Sequence, residues 1–139
     1  IKKNKNDSPR ASFGADIITG FPTETDEMFL DTKKTLESLN ISHLHVFPYS
    51  EKNGTAAARM PQVPIEVRRK RAKELRELGK KIYLSELKKQ TFKEHTVLVE
   101  NDYGIGKTEN NFNVKLENQA VGSIVKIIPS KIKNNFLMS

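Results

Sequence analysis

The hydrophobic pattern changes period along the chain, and the changes divide it into parts. Phe13 to Thr19 is a short, mostly apolar run closed by Gly20-Phe21-Pro22, which predicts a buried strand and a turn. Thr25 followed by Asp26 and Glu27 is a helix start, because a hydroxyl satisfies free N–H groups and carboxylates oppose the positive end of the helix dipole. Met28, Phe29, Thr32, Leu36 and Leu39 then fall at helical spacing, which predicts an amphipathic helix over 26–39 with Asn40 as its stop. His43 to Phe47, ended by Pro48, is the next strand. Strand, helix and strand joined by short turns make a βαβ unit, whose strands run parallel.

Beyond the rigid lead-in Met60-Pro61-Gln62-Val63-Pro64, a stretch without proline predicts one long helix over 65–90. Ala72, Leu75, Leu78 and Ile82 form its apolar stripe, and Arg69, Lys73, Arg76 and Lys80 form a cationic one. At 100° per residue the two stripes lie about 130° apart. After residue 91 the period becomes two. Phe112, Val114 and Leu116 alternate with Asn113, Lys115 and Glu117, Val97 and Val99 flank Leu98, and Ile124 to Ile128 is a further β run. Turn residues stand at 101–104, 110–111 and 118–119. Five short strands in so little chain predict a small closed barrel. Residues 1–10 are polar and read as a loop or a frayed end.

Charge sharpens this division. The 139 residues carry 24 Lys and Arg against 17 Asp and Glu, a net charge of +7. Residues 1–64 hold 8 basic and 8 acidic groups, residues 65–93 hold 11 and 4, and residues 94–139 hold 5 and 5. The whole excess therefore sits on the long helix and its exit. Such a ridge is either a solvated helix face or a surface for phosphates. Membrane binding fits less well, because the apolar face lacks Trp and is needed for packing. No apolar run in these residues approaches the roughly 20 of a membrane span or reads as the apolar core of a signal peptide, and the expected location is cytoplasmic. There is no Cys. That excludes disulfides, thiolate nucleophiles and any cysteine-held zinc or iron–sulfur cluster from these residues. The chain begins at Ile1 and reads as a piece of something longer.

Parallel strands followed by loops place reactive groups at the strands' carboxyl ends. Two such ends are predicted, Gly20 to Thr25 and Phe47 to Thr55. A glycine turn opening a helix can hold a polar or anionic ligand on its N–H groups, or can be an ordinary strand-to-helix turn. Asp16 sits in an apolar strand, where a buried carboxylate needs partners. Glu24 is either a ligand-facing group or a turn residue bonding backbone N–H groups. Alternation puts His43, His45 and Phe47 on one face of their strand, so His45 either faces a ligand or is a structural hydrogen-bonding side chain.

These residues carry a resemblance. Gly14-Ala15-Asp16-Ile17-Ile18-Thr19-Gly20-Phe21-Pro22-Thr23-Glu24-Thr25 resembles the fifth-strand segment of radical S-adenosylmethionine tRNA methylthiotransferases, the MiaB/MtaB family. Leu44 to Ser50, with Gly54-Thr55 and Ala57, resembles that family's sixth-strand segment, and the MtaB type, which acts on threonylcarbamoyladenosine in tRNA, is the nearest likeness. Val97 to Glu100, Gly106, Thr108-Glu109-Asn110, Val114 and Val121 to Val125 are similar to the TRAM domain that follows the radical barrel. Two departures stand out: Lys52-Asn53 replaces a usual Arg-Pro, and Asn111 stands where many members have an aromatic.

The resemblance implies an α/β plus all-β chain: residues 1–64 the C-terminal portion of a radical SAM α/β barrel, 65–90 a connecting basic helix, and 91–139 an OB-like five-stranded TRAM barrel that binds RNA. It implies cofactor contacts from Asp16, Gly20, Phe21, Pro22, Glu24, Phe47 and Tyr49. Together with the charge ridge it implies RNA contacts from Arg69, Lys73, Arg76, Lys80, Tyr103 and Lys107. S-adenosylmethionine and [4Fe–4S] clusters are expected of the parent enzyme, with no cluster ligand, no metal ligand and no catalytic residue in this chain. The expected partners are tRNA and the missing N-terminal portion. Two other roles remain open, a stand-alone RNA-binding module and a non-functional remnant of a split gene.

Overall fold

A computed structural model describes residues 12–139, so the loop expected over 1–10 lies outside the described residues. Residues 13–83 form one compact unit and residues 84–139 a second. The elements are β1 (Gly14–Thr19), α1 (Asp26–Leu39), β2 (His43–Pro48), a single 3-10 turn (Ala57–Arg59), α2 (Ile65–Lys88), β3 (His95–Val99), β4 (Ile105–Thr108), β5 (Asn113–Lys115), β6 (Ile124–Ile127), β7 (Lys131–Lys133) and β8 (Phe136–Met138). Among the described residues no helix is long and apolar enough to cross a membrane.

In the first unit β1 and β2 pair in parallel, from Gly14 opposite His43 to Thr19 opposite Pro48. The local signals act as their chemistry dictates. Thr25 Oγ1 accepts from the Met28 N–H at 3.1 Å, and Asn40 ends α1 in the left-handed region at φ 51°. Phe29, Leu36, Ile41, Val46, Ala72 and Leu75 form the core, with Ala15, Ile17, Leu39, Leu44 and Leu78 packed against it. Even-numbered residues of β1 and odd-numbered ones of β2 point to the other face, where among the described residues Tyr83 packs edge to face on His43 at one end and the rest is exposed. There Asp16 and His45 are exposed, as are Ile18 (58%) and Phe47 (52%). The expected burial of Asp16 is therefore corrected: alternation fixed its face, but the apolar neighbours pack on the opposite one. Met28, expected on the buried stripe of α1, is half exposed, while Phe29 and Leu36 are the buried residues of that helix.

The second unit is a six-stranded ladder in the order β6-β3-β4-β5-β8-β7, antiparallel except for the β5–β8 pair. It has six strands rather than the expected five, and the ladder ends at β6 and β7 rather than closing. β7 and β8, whose sequences show no period, form a tight hairpin whose two turn residues, Asn134 and Asn135, both have positive φ (53° and 64°), the geometry a two-residue turn demands. Val97, Val99, Phe112, Val114, Leu116 and Leu137 are buried, as the alternation of the first five predicts. A polar network lies beside them. The buried His95 ring faces Glu109 Oε1 through Nδ1 and the Gln90 carbonyl through Nε2, each at 3.1 Å. Asn110 Nδ2 donates to Gln90 Oε1 at 3.0 Å, and Thr108 Oγ1 accepts from the Phe112 N–H at 2.9 Å.

Candidate functional site

The carboxyl ends of β1 and β2 meet around an apolar cavity of about 390 Å3, lined by Ile18, Phe21, Phe47, Pro48, Tyr49, Ser50, Lys52, Thr55 and Ala57. It forms because the turn after each strand carries an aromatic. Phe21 and Tyr49 meet edge to face with ring centroids 5.2 Å apart, a favoured aromatic geometry, and Phe47 adds a third ring from the exposed sheet face. A pocket of this size with aromatic walls suits a flat, weakly polar ring system. Tyr49 is tied back to β1, its N–H donating to the Thr19 carbonyl at 2.8 Å.

Three of the sequence-predicted site residues, Phe21, Phe47 and Tyr49, line this cavity. Gly20, Pro22 and Glu24 build its frame. Gly20 has φ +76°, and a Cβ on it would come within 2.4 Å of Arg68 Cγ, so the turn requires glycine. Glu24 Oε1 accepts from the Gly20 N–H at 2.8 Å and from Arg71 Nη1 at 2.8 Å. Its carboxylate is thus engaged in holding the turn. Asp16 lies on the exposed sheet face, opposite His45 in register, and does not line the cavity.

Two buried arginines were not foreseen. Arg68 donates through Nε to the Val63 carbonyl at 2.6 Å and through Nη1 to the Tyr49 carbonyl at 3.2 Å, and pairs with Glu51 at 2.5 Å. Its guanidinium carbon lies 5.7 Å from the Tyr49 ring centroid. Arg71 holds Glu24 through both its carbonyl (3.1 Å) and its carboxylate, and reaches Asp26 at 2.8 Å. Burial alone would lower the Arg71 pKa, but hydrogen bonds and charges from Asp26 and Glu24 outweigh it and raise the value. A signal existed: Arg68 and Arg71 continue the Ala72–Leu75–Ile82 stripe at helical spacing, so they fall on the packed side of α2.

On the cationic ridge Arg69, Lys73 and Lys80 are exposed. Arg76 is exposed as well, and its guanidinium also donates twice to the Val46 carbonyl, at 2.8 Å and 3.2 Å. A main-chain oxygen of β2 lies within its reach, and the fork turns toward the sheet. Arg76 thus keeps its charge on the ridge like the other three, with its fork anchored to that carbonyl.

In the second unit Tyr103 is 78% exposed at the tip of the β3–β4 turn. Asn101 Oδ1 accepts from the Tyr103 and Ile105 N–H groups at 3.0 and 3.2 Å, and Lys115 Nζ donates to the Tyr103 carbonyl at 2.7 Å. Gly104 has φ +79°, and a Cβ there would lie 1.9 Å from the Leu116 carbonyl oxygen. The turn is therefore built to hold an aromatic in solvent. Lys107 Nζ donates to Asn113 Oδ1. Asn111, where the resemblance would have an aromatic, has φ 68°, a conformation asparagine tolerates better than most residues. Among the described residues no group of three or more His, Asp or Glu side chains is arranged to hold a metal ion.

No family model matches the chain. It is homologous to tRNA methylthiotransferases over most of its length. It is 50% identical over 119 residues to the threonylcarbamoyladenosine tRNA methylthiotransferase MtaB of Rickettsia prowazekii, covering 85% of this chain and 28% of that protein. It is 35% identical over 122 residues to the MtaB of Aquifex aeolicus, covering 86% and 30%. It is 35% identical over 136 residues to the tRNA-2-methylthio-N(6)-dimethylallyladenosine synthase of Bacillus subtilis, covering 91% and 27%. The chain thus spans less than a third of the length of these relatives.

Proposed function

We infer that this chain is the C-terminal segment of a tRNA methylthiotransferase of the MtaB type, and that the whole enzyme adds a methylthio group at C2 of N6-threonylcarbamoyladenosine beside the anticodon. The observation that carries this reading is the 50% identity to the Rickettsia MtaB over 119 residues, against 35% to the Bacillus dimethylallyladenosine enzyme. The geometry supports it. An aromatic-walled cavity stands at the ends of two parallel strands, and it matches an adenosine-bearing ligand in size and polarity.

In this reading residues 1–64 are the last portion of the radical SAM barrel, 65–90 the basic connector and 91–139 the TRAM domain. S-adenosylmethionine and the iron–sulfur clusters of the whole enzyme would supply the radical and sulfur chemistry. The residues present fit the first of these groups and not the second. Phe21, Phe47 and Tyr49 wall an adenine-sized cavity, whereas the chain contains no Cys to hold a cluster. The cluster ligands therefore belong to the N-terminal portion, which is this segment's partner. The chain's own residues bind and position: the three rings exclude water from a bound base, and Gly20 and Glu24 fix the turn that carries Phe21. Arg69, Lys73 and Lys80 offer their charges to tRNA phosphates, and Tyr103 offers a stacking face.

The test is a chimera. This segment replaces its counterpart in the Rickettsia enzyme, the product is reconstituted anaerobically, and nucleosides from the treated tRNA are separated by mass. Appearance of 2-methylthio-N6-threonylcarbamoyladenosine is expected. A folded, cluster-loaded chimera that modifies only dimethylallyladenosine, or nothing, would refute the assignment.

A further inference from the structure

Neither Arg68 nor Arg71 lines the aromatic cavity, yet each grips one of the two loops that do. We propose that this pair, one helical turn apart on α2, are positioning residues that set the shape of the cavity. The inference rests on reading that cavity as the site of an adenosine-bearing ligand.

The argument is one of geometry. The two loops follow different strands, and each carries one of the paired rings, Phe21 after β1 and Tyr49 after β2. Arg71 holds the first loop. It binds the Glu24 carboxylate and carbonyl, and that carboxylate in turn takes the Gly20 N–H. Arg68 holds the second. It binds the Tyr49 carbonyl and Glu51, and stands near the Tyr49 ring. Arg68 also touches the first loop, because its stem occupies the space a Cβ on Gly20 would need. Its own carbonyl lies 3.4 Å from Thr19 Oγ1. A planar guanidinium reaches several acceptors at fixed angles, which an ammonium cannot do. The pair therefore sets the Phe21–Tyr49 contact from behind. A carboxylate on each loop, Glu24 and Glu51, offsets the cost of burying two cations.

The test uses the full chain with Arg68→Lys and Arg71→Lys, which keep charge and length but lose the fork. The first readout is spectroscopic and needs no ligand. NMR follows the Phe21 and Tyr49 ring resonances and the exchange of the Gly20 amide. Arg71→Lys should speed Gly20 exchange at least about tenfold. Arg68→Lys should move the Tyr49 ring resonances toward random-coil values, with the core signals of Leu36 and Leu75 unchanged in both. The second readout is a titration with S-adenosyl-L-homocysteine, whose affinity should fall at least about tenfold in each variant. Wild-type ring shifts and Gly20 exchange in both lysine variants would overturn the proposal. So would loosened loops with unchanged affinity. Should either variant lose its core signals, Glu24→Gln and Glu51→Gln, which weaken the same grips from the loop side, decide on the same readouts. No binding to the wild-type chain would instead remove the ligand assignment, while the ligand-free readout still decides whether the arginines set the loops.

Discussion

The two units solve the same problem, a sheet with limited material, in opposite ways. The second unit pairs six short strands into a ladder and fills its interior with side chains that are almost fully buried, among them Val97, Phe112, Val114 and Leu137. The first has a sheet of only two strands, packs one face against its helices, and leaves Ile18 and Phe47 of the other face in solvent. A two-stranded sheet whose second face leaves large apolar side chains in solvent is poorly self-sufficient. In the reading proposed above, the first unit is completed by other polypeptide, and the second is the more self-sufficient of the two. The exposed Ile18 and Phe47 of that face both line the candidate cavity.

The largest expected effect would break this asymmetry. Phe112 is 1% exposed and lies between β4 and β5 in sequence. Phe112→Ala should cost about 3–5 kcal/mol and unfold much of residues 95–138, while signals from β1, α1 and β2 persist. Loss of both sets together would mean that the units fold as one.

Next comes a contrast in native amide exchange. In the wild-type chain the slowest amides of β3 to β5 should exchange at least about 100-fold more slowly than those of β1 and β2, a gap of about 2.8 kcal/mol. Equal protection would show the first unit to be a domain in its own right. Arg71 adds no pH sensitivity to this gap in ordinary buffers. Its pKa is raised in the fold, so its contribution holds below the unfolded value and is lost only as pH climbs through the raised one.

The asymmetry also shows what sequence could reveal. The limits of β1, α1 and β2 were legible because the punctuation is local: Gly20, Thr25, Asn40 and Pro48 each act on their own backbone. The loops bearing the cavity were legible for the same reason. Burial of Asp16 was misjudged because a period of two sorts residues onto faces without saying which face is covered. Arg68 and Arg71 were missed because a helix with many cations reads as solvated, and only tertiary packing brings Glu24 and Glu51 to them. The β7–β8 hairpin escaped because Lys131-Ile132-Lys133 and Phe136-Leu137-Met138 are too short to show a period, although Asn134-Asn135 was a turn signal.

The proposed RNA surface gives a third test, because it depends on which cations are free. Arg69, Lys73, Arg76 and Lys80 are all exposed, but the Arg76 fork is anchored to the Val46 carbonyl, while among the described residues no such bond holds the other three. Replacing Arg69, Lys73 and Lys80 by Ala should flatten log K against log salt for tRNA by about 2–3 units. Between 50 and 200 mM salt that slope change alone corresponds to roughly 16- to 64-fold in affinity, about 1.6–2.5 kcal/mol. All tRNAs should respond alike, since phosphate contacts position without specifying. Arg76→Ala should flatten the slope by no more than about 0.9 units and, unlike the other three, also speed exchange in β2. An unchanged slope in the triple variant, with helicity intact, would return the ridge to a solvated helix face.

The smallest effect is the most sensitive gauge of the first unit's margin. Thr25 caps α1 by accepting the Met28 N–H at 3.1 Å, and Thr25→Ala should cost about 1 kcal/mol. In a unit holding about 2 kcal/mol, that loss raises the unfolded fraction from about 3% to about 15%. In a unit holding 5 kcal/mol or more, the unfolded fraction stays below about 1%. The same substitution therefore reads out which regime applies. Fractional loss of α1 chemical shifts, with the β3 to β5 signals intact, is the expected result. A wild-type spectrum for α1 would place the first unit in the stable regime, and its exposed apolar side chains would then have to be explained by something other than a missing partner.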